Sequence, residues 1–148
     1  MAIRSCEKTD IPQVMELLKE LARSLGYEFE FDIRRMERQF SNMSKNGDSY
    51  AFLVYEEDER LLGFISAVFY ETMFHYKGTA LINELVVKEE SRGRMIGKAL
   101  LEQVVEEAKR RGMDEIEVGV KKENKDAVRF YKRNGMTEEY LLLGRELL

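Results

Sequence analysis

Residues 81–97 read LINELVVKEESRGRMIG, and this stretch decides the fold. Leu81, Ile82, Leu85, Val86 and Val87 make an apolar, partly β-branched run, as in a strand buried on both faces. Asn83 and Glu84 interrupt it. A carboxylate in such a run costs free energy unless it is paired, hydrated or used. A charged turn follows, then Arg92, Gly93, Arg94, Met95, Ile96 and Gly97 at the opening of an amphipathic helix. Unpaired backbone donors and the positive end of the helix dipole coincide there, which suits a phosphate. Two arginines can add charge-assisted contacts. Neither the Walker pattern GxxxxGK[ST] nor the dinucleotide pattern GxGxxG is present.

Outward from this stretch, the chain has the length of one domain, residues 1–148, enough to bury a core. Its composition, 44% hydrophobic and 35% charged, is that of a globular protein. No apolar run approaches a membrane span, and no signal-peptide pattern opens the chain. The single cysteine, Cys6, has no intramolecular partner for a disulfide, so a cytoplasmic setting is expected. Cys6 reads as a small core residue. His75 is the only histidine, which argues against a His-rich zinc site, and no metal is expected. A net charge of −4 argues against generic nucleic-acid binding and is compatible with a cationic substrate.

A first strand is expected over residues 2–6. Ile11, Val14, Leu17, Leu18, Leu21, Ala22 and Leu25 then fall at helical spacing, with Pro12 in the first turn and Gly26 at the end. Tyr27-Glu28-Phe29-Glu30-Phe31-Asp32 alternates aromatics with acids, and Asp32 can cap a second helix. Residues 50–55 and 61–70 read as an antiparallel hairpin. Residues 71–78 lead into the central strand. A helix over 97–111, a strand over 115–120, a short helix over 124–134 and a last strand over 140–147 complete the chain. The expected order is β-α-α-β-β-β-α-β-α-β, an α/β fold with a mixed twisted sheet and helices on both faces.

Two motifs carry a family resemblance. Arg92-Gly93-Arg94-Met95-Ile96-Gly97 resembles the Q/R-x-x-G-x-G/A pyrophosphate loop of the GCN5-related N-acetyltransferases, with Met95 at the place of the first glycine. Asn124-x-x-Ala127-x-x-Phe130-Tyr131-x-x-x-Gly135-Met136 is similar to a second segment of that family, with Met136 in place of Phe. The resemblance covers essentially the whole chain. It implies acetyl-CoA as co-substrate and an amine as acceptor. Residues 3–10, IRSCEKTD, the pattern of the first helix and the stretch FYKRNGM are loosely similar to diamine (polyamine) acetyltransferases, which points to a small-molecule amine.

The resemblance also implies roles. Glu84 would be the general base and Tyr131 the acid that protonates the leaving thiolate. The main chain of Leu85, Val86 and Val87 would meet the thioester, and the amides of Arg92 to Gly97, with Lys98, the pyrophosphate. Asn124 would bond the coenzyme arm or cap its own helix. The acceptor would lie against Tyr27, Glu28, Phe29 and Glu30, with Glu84 below and Phe74 on the opposite wall; aromatic faces and carboxylates suit a cationic amine. An α-amine or lysine of a protein is the alternative acceptor, and a non-catalytic acyl-CoA-binding module is the alternative from another class. A homodimer is compatible with the family, and neither a membrane nor a nucleic-acid partner is expected.

Overall fold

The protein is described by a computed structural model covering residues 2–148. Strand β1 is Ile3–Ser5 and helix α1 is Ile11–Ser24. Between them, Asp10 closes a 3-10 turn and accepts from Arg4 Nη1 and Nη2 at 2.8 and 2.9 Å. α1 buries Ile11, Val14 and Leu17, its apolar stripe. It ends where Gly26 turns left-handed, φ +73°, and Tyr27 N donates to Ala22 O. Asp32 caps α2, Ile33–Ser44, by accepting from the amides of Arg34 and Arg35.

Strands β2, Tyr50–Glu57, and β3, Arg60–Glu71, form a hairpin. Asp58 and Glu59 both take positive φ at its turn, which matches the twist of the strands. β4, Gly78–Val87, is antiparallel to β3. α3, Ile96–Arg110, crosses back to β5, Glu115–Val118, which is parallel to β4. α4, Lys125–Arg133, follows. The sheet order is β1-β2-β3-β4-β5.

Helices cover both faces. On one face, Val14 and Leu17 of α1 pack on Val54, Phe64 and Val86. On the other, Leu100, Leu101 and Val104 of α3 pack on Ile65, Ala67, Ala80 and Ile82, with Phe130 and Tyr131 of α4 against them.

The strand expected over residues 140–147 is absent. Residues 136–148 take no regular structure, and Leu141, Leu142 and Leu143 are 80–86% exposed. Apolar, β-prone residues make a strand only where a neighbouring ladder takes their backbone groups, and no strand of the described residues pairs with them.

Candidate active site

The site is set by an irregularity in β4. Ser66 pairs with Glu84, but the next residue on β3, Ala67, pairs with Ile82, so Asn83 is an extra residue in β4. Such a bulge re-aims every side chain beyond it. Ala80 and Ile82 face the α3 layer, and beyond the bulge Leu85 and Val87 face it too. Glu84 therefore joins Val86 on the α1 face. There its carboxylate accepts a hydrogen bond from the Ser66 hydroxyl, which is itself buried. Asn83 and Glu84, polar in an apolar run, were the visible trace of the bulge. Ser66, the polar residue inside the apolar run of β3, was the trace of the partner, and sequence reasoning missed it.

The same region opens the sheet. The β4–β5 ladder runs from Thr79↔Glu115 to Ile82↔Val118 and stops, while β4 continues to Val87. Leu85, Val86 and Val87 stay paired to β3 through Ile65, Phe64 and Gly63. Their β5 side has no ladder partner, so β4 is unpaired on that side beside the bulge.

The glycine-bearing loop lies just beyond β4. Gly93 takes φ +84°, and Met95 takes φ 66°, ψ 17° at the N-cap of α3. The left-handed turn survives with Met where the family pattern has glycine. Among the described residues, the N–H groups of residues 93–98 donate to no acceptor in the protein. They stand at the positive end of a helix of 15 residues. Ile96 is buried and Lys98 is exposed in the first turn. At Gly97 an added Cβ would sit 3.4 Å from Phe130 Cζ and 3.6 Å from Val87 Cγ2, ordinary contact distances. These groups fit a diphosphate through main-chain donors. The arginine side chains are otherwise engaged. Arg92 Nε donates to Val87 O at 3.3 Å, and Arg94 Nη2 lies 2.6 Å from Glu57 Oε2 of the β2–β3 hairpin.

Tyr131 sits on α4 with its ring edge-to-face against Phe130, centroids 5.1 Å apart. It packs on the α3-side core, on the face opposite Glu84. Burial pushes its phenol up to about 12, so it is a protonated donor at neutral pH. Asn124 accepts from Ala127 N at 3.3 Å and so caps α4.

Of the acceptor residues, Tyr27, Glu28, Phe29 and Glu30 line one open depression with Lys19, Ala22 and Arg23 of α1. Two of their aromatic faces already hold cations. Lys121 Nζ lies 4.5 Å from the Tyr27 ring centroid, and Arg35 Cζ lies 5.2 Å from that of Phe29. Phe74 does not join them. It lies in the β3–β4 connection, next to the start of β4 at Gly78, whereas Glu84 is six residues further on, about 20 Å along an extended strand. Spacing in sequence carried no information about which end of β4 that connection occupies.

Among the described residues, no group of three or more His, Cys, Asp or Glu side chains could hold a metal ion, and no helix is long and apolar enough to cross a membrane.

Residues 12–136 match the family model described as the acetyltransferase (GNAT) family. The chain is 30% identical over 143 residues to an uncharacterized N-acetyltransferase of Methanocaldococcus jannaschii, covering 96% of this chain but only 63% of that protein. It is 29% identical over 132 residues to an uncharacterized N-acetyltransferase of Archaeoglobus fulgidus, covering 88% and 89% of the two chains. The crystal structure of glucosamine-6-phosphate N-acetyltransferase from Arabidopsis thaliana superposes with a TM-score of 0.83 at 23% identity, over 97% of this chain and 96% of that one, a likeness of fold. With the bulged central strand, the parted ladder and the free amides after it, the match over residues 12–136 assigns the chain to the acetyltransferase (GNAT) family.

Proposed function

We propose that the protein transfers an acetyl group from acetyl-CoA to the primary amine of a small cationic metabolite, by direct attack while both substrates are bound. The observation that carries this reading is the end of the β4–β5 ladder at Ile82↔Val118. Where that pairing is missing, the face bearing Glu84 and the face bearing Tyr131 can be reached from one thioester, which supports the reading.

Acetyl-CoA supplies the thioester carbonyl. The free amides of residues 93–98 bind the diphosphate, and Lys98 adds a cation. Asn124 holds α4 in place by capping it. The backbone of Leu85, Val86 and Val87, open toward β5, offers donors to the carbonyl oxygen. Glu84, held by Ser66, takes the proton that the ammonium must lose, directly or through one water. The amine nitrogen bonds to the carbonyl carbon, the carbon–sulfur bond breaks, the Tyr131 hydroxyl gives its proton to the leaving sulfur, and the second proton shed by the nitrogen restores the phenol through water.

The acceptor enters on the Glu84 face, beside Tyr27 and Phe29. Glu28 and Glu30 attract its charge, and the rings already engage Lys121 and Arg35, as they would an ammonium.

The test is thiol release from acetyl-CoA against polyamines, aminoglycosides, amino sugars, amino acids and peptides. Acceleration by one class of small amine, lost in Glu84→Gln, is the expected result. Turnover confined to peptides would favour a protein acetyltransferase. Acetyl-CoA binding without turnover on any amine would point to a non-catalytic module.

A further inference from the structure

Both arginines of the glycine-bearing loop are tied back into the protein. Arg92 Nε donates to Val87 O, and Arg94 Nη2 lies 2.6 Å from Glu57 Oε2. Glu57 is the last residue of β2, beside the turn of the hairpin. The hydrogen bond from Arg94 holds the Glu57 carboxyl below the usual carboxylate range, so the pair is ionic at neutral pH.

The same hairpin holds the segment that precedes the loop. Arg60 Nη2 lies 3.4 Å from Glu90 Oε1, and Lys88 N donates to Leu62 O at 2.8 Å. The two ion pairs run in opposite senses: the hairpin offers an anion to Arg94 and a cation to Glu90. The hairpin is itself fixed by α1. Gln13 Oε1 accepts from Leu61 N at 2.9 Å, and Gln13 Nε2 donates to Glu59 O at 3.3 Å. A turn anchored on one helix therefore braces the loop that opens another.

The loop needs a brace. Arg94 stands between Gly93 and Met95, both left-handed. For Met95 that backbone is strained, and a strained residue persists only where its surroundings over-determine it. Its own side chain is 64% exposed and gains little from packing. After the turn, the buried Ile96 anchors the chain. Before it, Gly93 has no side chain, and even an added Cβ would meet no atom beyond its chain neighbours within 4 Å. The hold on that side falls to Arg94.

We propose that Glu57 is a positioning residue for acetyl-CoA. Through Arg94 it fixes the loop with the amides of residues 93–98 free for the diphosphate before the coenzyme arrives. The arginine side chain is a strut, and the main chain is the ligand. This rests on the reading of the loop as the diphosphate site. The advantage is preorganisation, since the loop is then ordered on folding and not on binding. Each partner is close to half exposed, so the effect is modest and is screened by salt.

Charge alone gives the opposite result, which sharpens the test. Glu57→Gln removes a negative charge from beside an anion site and frees Arg94 to reach the diphosphate; by Coulomb's law both changes tighten binding. A loss of affinity therefore reports lost order in the loop. Calorimetric titration with acetyl-CoA decides, with KM and kcat read alongside on the amine that supports turnover. In Glu57→Gln, Kd and KM for acetyl-CoA are expected to rise by up to about 5-fold, the ceiling for an exposed ion pair, with kcat at saturating coenzyme kept. Arg94→Gln is expected to weaken binding, and adding Glu57→Gln to it is expected to weaken binding no further. Unchanged or tighter binding in Glu57→Gln overturns the proposal. If the unaltered protein binds no acetyl-CoA, the loop assignment fails and this inference with it. If it binds, and Glu57→Gln leaves Kd alone, only this inference fails.

Discussion

Ile82 and Glu84 stand two residues apart on β4 and face opposite sides of the sheet. In an unbroken strand they would share a face. The extra residue, Asn83, separates them, so Ile82 stays in the α3-side core while the Glu84 carboxylate meets Ser66 on the α1 side. Glu84→Gln keeps the shape and removes the base. It is expected to lower kcat roughly 10²–10⁴-fold with acetyl-CoA affinity retained, as read by thiol release and by calorimetric titration of the coenzyme. Full turnover in that variant would remove Glu84 from the chemistry.

Met95 carries a backbone that suits glycine. The left-handed conformation costs an L-residue about 1–2 kcal/mol, and glycine gives back about 0.5–1 kcal/mol through the freedom it loses on folding. Met95→Gly is therefore expected to stabilise the protein, raising Tm by about 2–4 °C per kcal/mol of net gain. Met95→Val, β-branched, is expected to lower it. Thermal melts of the two variants decide, and a Met95→Gly protein that melts below the parent would show that the turn is not strained.

The carboxylate of Asp10 is buried against Arg4, whose side chain is one-third exposed. The hydrogen bonds from Arg4, and then that from the Glu7 amide, hold the Asp10 pKa below its ordinary value. A carboxylate with a lowered folded pKa contributes stability above its unfolded pKa and loses it as the pH falls through the folded value. The protein is accordingly expected to lose stability below about pH 4, with the loss shallower in Asp10→Asn. Arg4→Ala leaves the carboxylate buried and unpaired, and is expected to cost about 3 kcal/mol, the low end for a broken buried pair. Urea unfolding at pH 3 to 7 measures both.

Tyr131 titrates the other way. Its folded pKa, about 12, exceeds its ordinary value of 10.0 because burial disfavours the phenolate. The stability linked to this group is fully present below pH 10 and is lost as the pH climbs toward 12. Absorbance of the phenolate in a titration of the protein, against Tyr131→Phe, should show one tyrosine ionising late. In turnover, Tyr131→Phe is expected to slow kcat more than it alters KM for acetyl-CoA, by about 10-fold or more. Equal kcat in the two proteins would leave Tyr131 a packing residue.

Residues 81–97 were legible because both signals there are local. An apolar run sets a strand, and a loop that precedes an amphipathic helix sets free amides. The four helices and five strands of the described residues followed from periodicity and caps, Asp32 and Asn124 among them. What stayed hidden depends on partners distant in the chain. The bulge is defined by Ser66 and Ala67 on another strand, and the hold on Arg94 by Glu57. The strand expected over 140–147 lacks the ladder that would make it one. Phe74 was placed with the acceptor residues although the topology sends its connection to the far end of β4.

The ring of Phe130 resting on Gly97 has a mechanical meaning. It sets the last helix against the first turn of α3, with room left for one methyl group between them. If the loop holds the coenzyme as proposed, this contact ties that end to the phenol one residue along, and Gly97→Ala, which adds a methyl at ordinary contact distance, is expected to leave the tie intact.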